Sequence, residues 1–343
     1  MNRKNALVTS VVVLLLALLA YLQFRTWRRF SWDTFFATLQ HLRPSYIIAA
    51  TLVIYATYVL RAARWSLFLR ESKRVPFTRL ISPMMIGFTA VALLGRPGDF
   101  VRPYLIARRE GVSFTGQVAA LIVERLFDMA AFALLLSAML LLAPSLRSVN
   151  HYKEFQLAGA AMAAIVVCII LGMALVWRFT AAVAARARRL IAPLSAKAAQ
   201  STAQWIDQFG AGLHTLRTPA SFASALVLSI VIWLFIAASY VLIMHSYIHP
   251  TLDSMDTPRV LLVMAASVLG SLLQIPMVGG GSQLATIGVL RKVFDVPQEL
   301  AASCGLMLWL ITFFTVVPLG LVLARREHVS LTKVSEESHS TTV

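Results

Sequence analysis

The sequence has few charged residues and almost no cysteine. Only 13% of its 343 residues are charged, about half of what a soluble domain usually carries. The two cysteines, Cys168 and Cys304, lie in separate apolar runs, so neither a disulfide framework nor a Cys-x-x-Cys site is expected. There is also no hydrophilic stretch long enough for a separate soluble domain. These absences argue against a water-soluble protein.

Long apolar runs are what the sequence has instead. Hydrophobic residues make up 59% of the chain, and a transmembrane helix needs about 20 consecutive apolar residues. The first apolar run resembles a signal peptide, but Arg25, Arg28 and Arg29 follow it directly, so we expect an uncleaved first helix. The pattern predicts an all-α polytopic membrane protein with a single transmembrane domain over residues 1–343. The predicted full spans are 6–24, 45–69, 117–143, 155–177, 221–245 and 301–324.

Two further apolar runs are shorter and end at turns rich in glycine and proline. Residues 80–95 end at "GRPG", and residues 260–275 end at "PMVGGG". At 1.5 Å per residue each run reaches roughly 24 Å, which is short of the ~30 Å hydrocarbon core. We therefore expect neither run to be a single crossing.

The distribution of basic residues sets the predicted orientation. Segments 61–79 and 178–217 and the tail after Ala324 are rich in Lys and Arg, whereas segment 246–259 has more acidic than basic residues. The positive-inside rule places the basic segments in the cytoplasm and segment 246–259 outside. We expect the same rule to be the main cause of the net charge of +16, with attraction to anionic lipid headgroups as a compatible alternative. The basic residues are too scattered to indicate nucleic-acid binding.

With this orientation, each short run has to enter and leave the membrane on the same side. The sequence therefore predicts about six transmembrane helices plus two re-entrant or broken helical hairpins. The hairpins enter from opposite faces, as in the inverted repeats of transporters. Both termini are predicted to be cytoplasmic, in a bacterial plasma membrane. The alternatives are eight spanning helices, or two kinked helices packed against their neighbours.

The predicted domain divides into five parts. One of them, a connector over residues 178–220, has apolar residues that share one helical face. This pattern favours an amphipathic helix on the cytoplasmic surface, and a solvated connector is the alternative. That face comprises Trp205, Ile206, Phe209, Leu213 and Leu216. The parts are an N-terminal helix and loop (1–44), a first repeat (45–177), the connector (178–220), a second repeat (221–324) and a disordered tail (325–343).

The first short run ends in a predicted hinge. Gly95 and Gly98 permit tight turns, and Pro97 removes a backbone donor. Irregular backbone at membrane depth is tolerated only when it is buried in protein or lines a wet cavity. The hinge is therefore a candidate wall of a binding site.

Charged residues surround this hinge and recur on the following span. Glu124 and Asp128 are four residues apart and share a helix face, so a carboxylate there needs a partner such as Arg96 or Arg102. Guanidinium groups can hold a phosphate bidentately, and carboxylates can take an amine or a sugar hydroxyl. The alternative is a structural ion-pair network that pins the hinge. The predicted ligand-binding residues are Arg61, Arg64, Arg96, Asp99, Arg102, Glu124, Arg125 and Asp128.

The second short run leads into a polar, flexible break. Its glycines allow close backbone approach, and Ser282 and Thr286 offer uncharged hydrogen-bonding groups. No Gly-Lys-Ser/Thr sequence follows, so it is not a phosphate-binding Walker loop. The predicted hinge residues here are Pro276, Gly279, Gly280, Gly281 and Gln283.

No cofactor is indicated by the sequence. His245 and His249 have a spacing that can hold zinc, but no acidic cluster accompanies them, and we interpret them as loop residues. Because the sequence has no nucleotide, metal or nucleophile motif, we expect that the protein binds no cofactor and is not an enzyme.

Four of these motifs together resemble the transmembrane region of the lysylphosphatidylglycerol synthase family, also called flippase-like membrane proteins. They are "RAARW" at 61–65, "GRPGDFVRPYLIARREG" at 95–111, "VERLFD" at 123–128 and "IPMVGGG" at 275–281. The motifs occur in the family's order over most of the chain. The second hairpin departs from the family's pattern, which has an acidic residue a few positions after the glycines, where this chain has Gln283 and Leu284.

The resemblance implies a role in moving lipids between leaflets. Family members with a fused aminoacyltransferase also make the lipid they flip, and we expect that enzyme to be absent here because the chain ends about 20 residues after its last predicted span. The expected ligand is an anionic phospholipid or a polyprenyl or other glycolipid. The alternatives are a non-catalytic partner subunit of a lipid-modifying or cell-envelope system, and an intramembrane lipid transferase. A lipid-synthase partner or a homo-oligomer is compatible with both the flippase and the partner-subunit functions.

Overall fold

The computed structural model describes residues 30–70, 72–145, 152–193, 195–196, 198–203, 206, 218–271 and 280–327. These residues are mainly helical. The first half contains α1 (Trp32–Gln40), α2 (Pro44–Leu69), α3 (Phe77–Leu94), α4 (Val101–Glu110) and α5 (Phe114–Leu142). The second half contains α6 (Tyr152–Ile191), α7 (Pro219–Ser246), α8 (Pro250–Asp253), α9 (Thr257–Gly270), α10 (Gly281–Lys292), α11 (Gln298–Trp309) and α12 (Val316–Arg326).

Several of these helices are long and apolar enough to cross a membrane. They are α2, α3, α5, α7 and the continuous helical run Gln298–Arg326, in which a π-helical segment, Leu310–Phe314, joins α11 to α12. The prediction of an all-α polytopic membrane protein is therefore confirmed. The predicted span 6–24 lies outside the described residues.

The predicted span 155–177 and the start of the predicted connector lie on one helix. This helix, α6, has non-helical backbone angles at Phe179, and its described apolar part, Gly159–Cys168, is shorter than a full span. Most of the connector's predicted apolar face lies outside the described residues.

The predicted length of the run 80–95 is wrong. The helix begins at Phe77, after the extended Pro76, and its 18 residues reach the length of a candidate span. The apolar run does not include the polar residues Thr78 and Arg79, which belong to the first helical turn.

The chain nevertheless folds back after this helix, as the hinge sequence predicts. Gly95 has a positive φ of 73°, and a 3-10 turn, Arg96–Phe100, follows it. Gly98 lies against the backbone of Ala90, where a β-carbon would overlap the neighbouring backbone. The positive φ and this close approach both require glycine, and together they reverse the chain into α4.

The two arms of this first hairpin return to the same end of the molecule. Arg102 on α4 packs against Gly87 of α3, where an added β-carbon would lie 2.5 Å from the arginine Cβ. At the far end of α4, Glu110 forms ion pairs with Lys73 and Arg79, which flank the start of α3. We call α3, the 3-10 turn and α4 the first hairpin.

The second hairpin consists of α9 and α10. Gly270, the last residue of α9, lies against the backbone of Gly281 and the side chain of Ala285 on α10. Gly280 has a positive φ of 54° directly before α10 begins. The predicted hinge residues Pro276 and Gly279 lie outside the described residues.

The two hairpins start at opposite ends of the bundle, as predicted for an inverted repeat. Helices α2 and α7 are antiparallel, because Arg43 before α2 bonds to the carbonyl of Ser246 at the end of α7, while Arg64 near the end of α2 bonds to Ser229 on α7. The first hairpin follows the end of α2, and the second follows the end of α7.

The last helix runs from the base of the second hairpin to the base of the first. At its end, Glu327 pairs with Arg109 at 2.9 Å and accepts a hydrogen bond from Ser82 at 2.5 Å. In its middle, Thr89 of α3 donates to the carbonyl of Val316, next to the π-helical segment. This contact places the first hairpin against the last span.

Candidate functional site

Two helices place four charged side chains opposite one another. Arg61 and Arg64 are three residues apart on α2, and Glu124 and Asp128 are four residues apart on α5, so each pair shares a helix face. All four are buried, at 9%, 0%, 1% and 6% exposure respectively. Because an unpaired charge is very costly away from water, the two faces have to meet.

Arg64 is the centre of this cluster. Its Nη1 donates to Asp128 and to the hydroxyl of Ser229, both at 2.6 Å, and its Nη2 donates to Glu124 at 2.7 Å. Arg61 reaches the same acids, with Nη1 at 3.3 Å from Asp128 and 3.7 Å from Glu124. The two carboxylates are therefore shared between the two arginines.

The first hairpin adds a third guanidinium. Arg102 on α4 donates to both carboxylate oxygens of Glu124, at 2.5 and 3.3 Å, and also contacts the sulfur of Met84. Gly87 leaves room for this side chain to pass along α3. The small residue on one arm of the hairpin thus allows the cation on the other arm to reach α5.

Aromatic rings cover the guanidiniums. The centroid of the Trp65 ring lies 4.4 Å from the Arg102 guanidinium carbon, and the Phe88 ring lies 5.1 Å from both Arg61 and Arg102. The Trp65 indole is itself fixed by a 2.9 Å hydrogen bond to Gln117. Such cation–π contacts are worth more when the cation is desolvated.

The buried cluster carries an excess positive charge. It contains three guanidiniums, from Arg61, Arg64 and Arg102, and two carboxylates, from Glu124 and Asp128, which leaves a formal net charge of +1. We call these five residues the buried cluster. Its geometry suits one further anion, because a guanidinium can bind a second acceptor beside its carboxylate partner.

A separate ion pair lies at the hinge. Arg125 of α5 turns away from Asp128 and pairs instead with Asp99 of the 3-10 turn. Their side chains are 44% and 19% exposed, so this pair borders the surface of the bundle. Sequence spacing placed Arg125 within reach of Asp128, but the helix directs it toward the hairpin.

Arg96 lies outside the buried cluster. It is exposed at the start of the 3-10 turn, and among the described residues it has no ion-pair partner. The predicted pairing of Arg96 with Glu124 or Asp128 is therefore wrong. Gly95 turns the chain so that residue 96 faces outward, and Arg102, six residues later, takes the inner position.

A small pocket separates the hinge pair from the buried cluster. It is too narrow to admit a water molecule, and it is lined by Gly87, Phe88, Val91, Asp99 and Arg102. The pocket therefore connects one residue of the exposed pair with one guanidinium of the buried cluster.

The predicted polar groups of the second hairpin do not form a comparable ionic site among the described residues. Gln283 is half-buried, and Thr286 donates to the carbonyl of Ser282 within its own helix. Nearby links are neutral: Tyr240 donates to Ser267 at 2.9 Å, and the hydroxyls of Tyr247 and Ser303 lie 3.0 Å apart. The two hairpins thus share a topology and differ in chemistry.

Several residues that fix the site carry no signal in the sequence. Trp65, Phe88 and Ser229 contact its guanidiniums directly, yet single aromatic or hydroxyl residues in an apolar run give no signal of their own. Glu110, at the base of the first hairpin, is buried and paired with Lys73 and Arg79. In the sequence, Glu110 is distinguished only as an acidic residue that directly follows two arginines.

A third polar group lies at the opposite end of the bundle. Arg43 donates to both oxygens of Asp253, at 3.0 and 2.9 Å, and the His245 ring lies 3.3 Å from the same carboxylate. The hydrogen bonds from Arg43 lower the pKa of Asp253. His249 accepts a bond from the backbone N–H of Thr251 in the same short helix as Asp253, α8. Within the described ranges, no three His, Cys, Asp or Glu residues converge as a metal site.

The fold and this site together define a polytopic helical membrane protein with two inverted hairpins and a buried ionic cluster at the first one. The chain belongs to the lysylphosphatidylglycerol synthase TM region family, whose model matches residues 7–320. Comparison with curated proteins gives no significant match. The family is a membrane domain associated with lipid-related function, and the match extends over nearly the whole chain.

Proposed function

We propose that the protein is a lipid flippase that moves a phospholipid or a polyprenyl or other glycolipid with an anionic headgroup across the bacterial plasma membrane. The observation that carries the proposal is the buried cluster with its net charge of +1, held between a re-entrant hairpin and two spans. A site of this kind selects an anion, because three guanidiniums share only two carboxylates.

The inverted arrangement of the hairpins supports movement rather than simple binding. Each hairpin begins at a different end of the bundle, so the two leaflets have similar structures facing one central region. Rocking of one repeat against the other then exposes the site to each leaflet in turn, while the lipid tails stay in hydrocarbon. Such movement involves no bond chemistry, and we propose that the protein acts without a nucleotide or metal, with both termini in the cytoplasm.

A specific observation favours a second candidate. The acids of the buried cluster are fully engaged by arginines, and the pocket beside them is too narrow to admit a water molecule. A network closed in this way suits a non-catalytic partner subunit, in which the charges pin the hairpin and a lipid synthase acts next to it. The two candidates differ in whether the protein alone moves lipid.

Arg96 offers a test that separates function from folding. It is exposed and takes no part in the described ion pairs, so Arg96→Ala should leave the melting temperature in detergent unchanged. If Arg96 guides the headgroup, the variant should move labelled phosphatidylglycerol in liposomes several-fold more slowly than wild type.

Arg108→Ala is the matched control, since Arg108 is an exposed arginine on the same hairpin at its base, away from the hinge. Equal rates for wild type and both variants would remove Arg96 from the lipid path. Covalently altered lipid, detected by mass spectrometry after the assay, would replace the flippase proposal with an intramembrane transferase.

A further inference from the structure

The hinge pair is partly exposed and includes a residue of α5, a helix long and apolar enough to cross a membrane. Arg125 lies about three turns into α5, and beyond Asp128 only uncharged residues follow to the end of that helix. A charged pair facing hydrocarbon is strongly unfavourable unless water or a lipid headgroup reaches it. The 44% exposure of Arg125 therefore indicates a lateral surface that meets polar groups.

Asp99 stands between this surface and the buried cluster. Its carboxylate holds Arg125 on one side and lines the pocket that also contains Arg102. The exposed Arg96 belongs to the same 3-10 turn. Two guanidiniums, those of Arg125 and Arg102, thus lie beside one carboxylate, and Arg102 is also paired with Glu124.

We propose that Asp99 is an internal substitute for a lipid phosphodiester, and that the Asp99–Arg125 pair is a latch that closes a lateral opening to the buried cluster. This inference rests on the proposed function and adds the ligand class and the route of access. A phosphodiester monoanion has the same charge as a carboxylate and accepts the same paired hydrogen bonds from a guanidinium.

A lipid phosphodiester can replace Asp99 on Arg125 because the two groups carry the same negative charge. When the phosphodiester binds Arg125, Asp99 is released and the hairpin break separates from α5, which opens the pocket toward the bilayer. Arg96 supplies a second guanidinium to the incoming group. A zwitterionic headgroup brings its own cation to a site that already has an excess of arginine, so it is expected to bind more weakly.

The test is equilibrium binding of a fluorescent phosphatidylglycerol to the full chain in detergent, followed by anisotropy. Asp99→Asn removes the internal competitor and should bind about fivefold more tightly than wild type. Arg125→Gln should bind about fivefold more weakly. In the double variant the gain from Asp99→Asn should disappear, because the arginine that it frees is absent.

Asp253→Asn is the matched control. It breaks a similar part-exposed Asp–Arg pair, with Arg43, at the opposite end of the bundle, and binding should not change. Melting temperature and monodispersity are recorded for every variant, and Asp99→Ser replaces Asp99→Asn if the amide variant does not fold. Unlabelled phosphatidylglycerol should displace the probe at far lower concentration than phosphatidylcholine or inorganic phosphate.

The outcomes separate the latch from the function itself. If wild type binds phosphatidylglycerol but Asp99→Asn and Asp99→Ser bind no more tightly, the latch is wrong and the flippase proposal stands. Displacement by inorganic phosphate as readily as by lipid would overturn the lipid assignment in favour of a free-anion site. A wild-type protein that binds no phosphatidylglycerol contradicts both the latch and the proposed anionic ligand.

Discussion

At the scale of single residues, the cluster depends most on Arg64. Its side chain is fully buried and bonds to two carboxylates on α5 and one hydroxyl on α7. It therefore ties three helices together through one group. Removing it leaves two buried acids with less compensation, which is the costly way to break such a network.

We expect Arg64→Gln to lower the free energy of unfolding by about 3–5 kcal/mol, measured by denaturation in detergent. Arg125→Gln is the control, since it removes an arginine two-fifths exposed on the facing helix and should cost about 1 kcal/mol or less. Equal losses in the two variants would show that burial does not set the strength of these pairs.

Asp253 should give the protein a pH-dependent stability. Hydrogen bonds from Arg43 hold the pKa of Asp253 below its ordinary value of 3.8, so the folded state favours the charged form. The resulting stabilisation is present at neutral pH and is lost as the pH falls through the lowered pKa. We expect the melting temperature of wild type to fall more steeply than that of Asp253→Asn below about pH 4. Parallel curves would contradict this.

The sequence predicted which residues form the site better than how they pair. Helical spacing correctly placed Glu124 and Asp128 on one face, because α-helix geometry is local. The choice between Arg96 and Arg102 as partner depends on how the chain turns after Gly95. That turn is set by close packing between the two arms, which no local pattern encodes.

At the scale of elements, the first hairpin depends on backbone contact at Gly98. An added β-carbon there would overlap the backbone of Ala90, and backbone cannot move aside as a flexible side chain can. The glycine thus lets the returning arm lie close enough to α3 for Arg102 to reach α5.

We expect Gly98→Ala to destabilise the protein by about 1–3 kcal/mol through overpacking, and to impair lipid movement because the hairpin is displaced. Gly288→Ala, in α10 of the second hairpin, is the control: a β-carbon there meets open space, so the change should be neutral or slightly stabilising. Thermal melting of both variants checks this. A Gly98→Ala protein as stable as wild type would refute the close approach.

In the first hairpin, the sequence pattern predicted the position of the break but not the length of the helix before it. The glycine and proline turn at 95–98 predicted a break, and the positive φ of Gly95 is that break. The length of the apolar run underestimated the length of α3. The helix also includes the polar residues after Pro76, which a count of apolar residues leaves out.

At the scale of the whole molecule, the inverted arrangement places the hairpin bases on opposite sides of the membrane. Single cysteines at the exposed positions Arg108 and Arg291, in a background without Cys168 and Cys304, test this directly. A membrane-impermeant thiol reagent added to intact cells should label Arg291→Cys alone, and Arg108→Cys only after lysis. Labelling of both in intact cells would overturn the inverted arrangement.

The proposed function requires that the protein alone moves an anionic lipid between leaflets. The most direct measurement is the fraction of labelled phosphatidylglycerol that an external, membrane-impermeant quencher reaches in liposomes containing purified wild-type protein, with no nucleotide or metal added. We predict that quenching proceeds well beyond the outer-leaflet half and approaches completion. Quenching that stops at about half, as expected for a bilayer without lipid exchange, across both anionic phospholipids and glycolipids, would contradict the account.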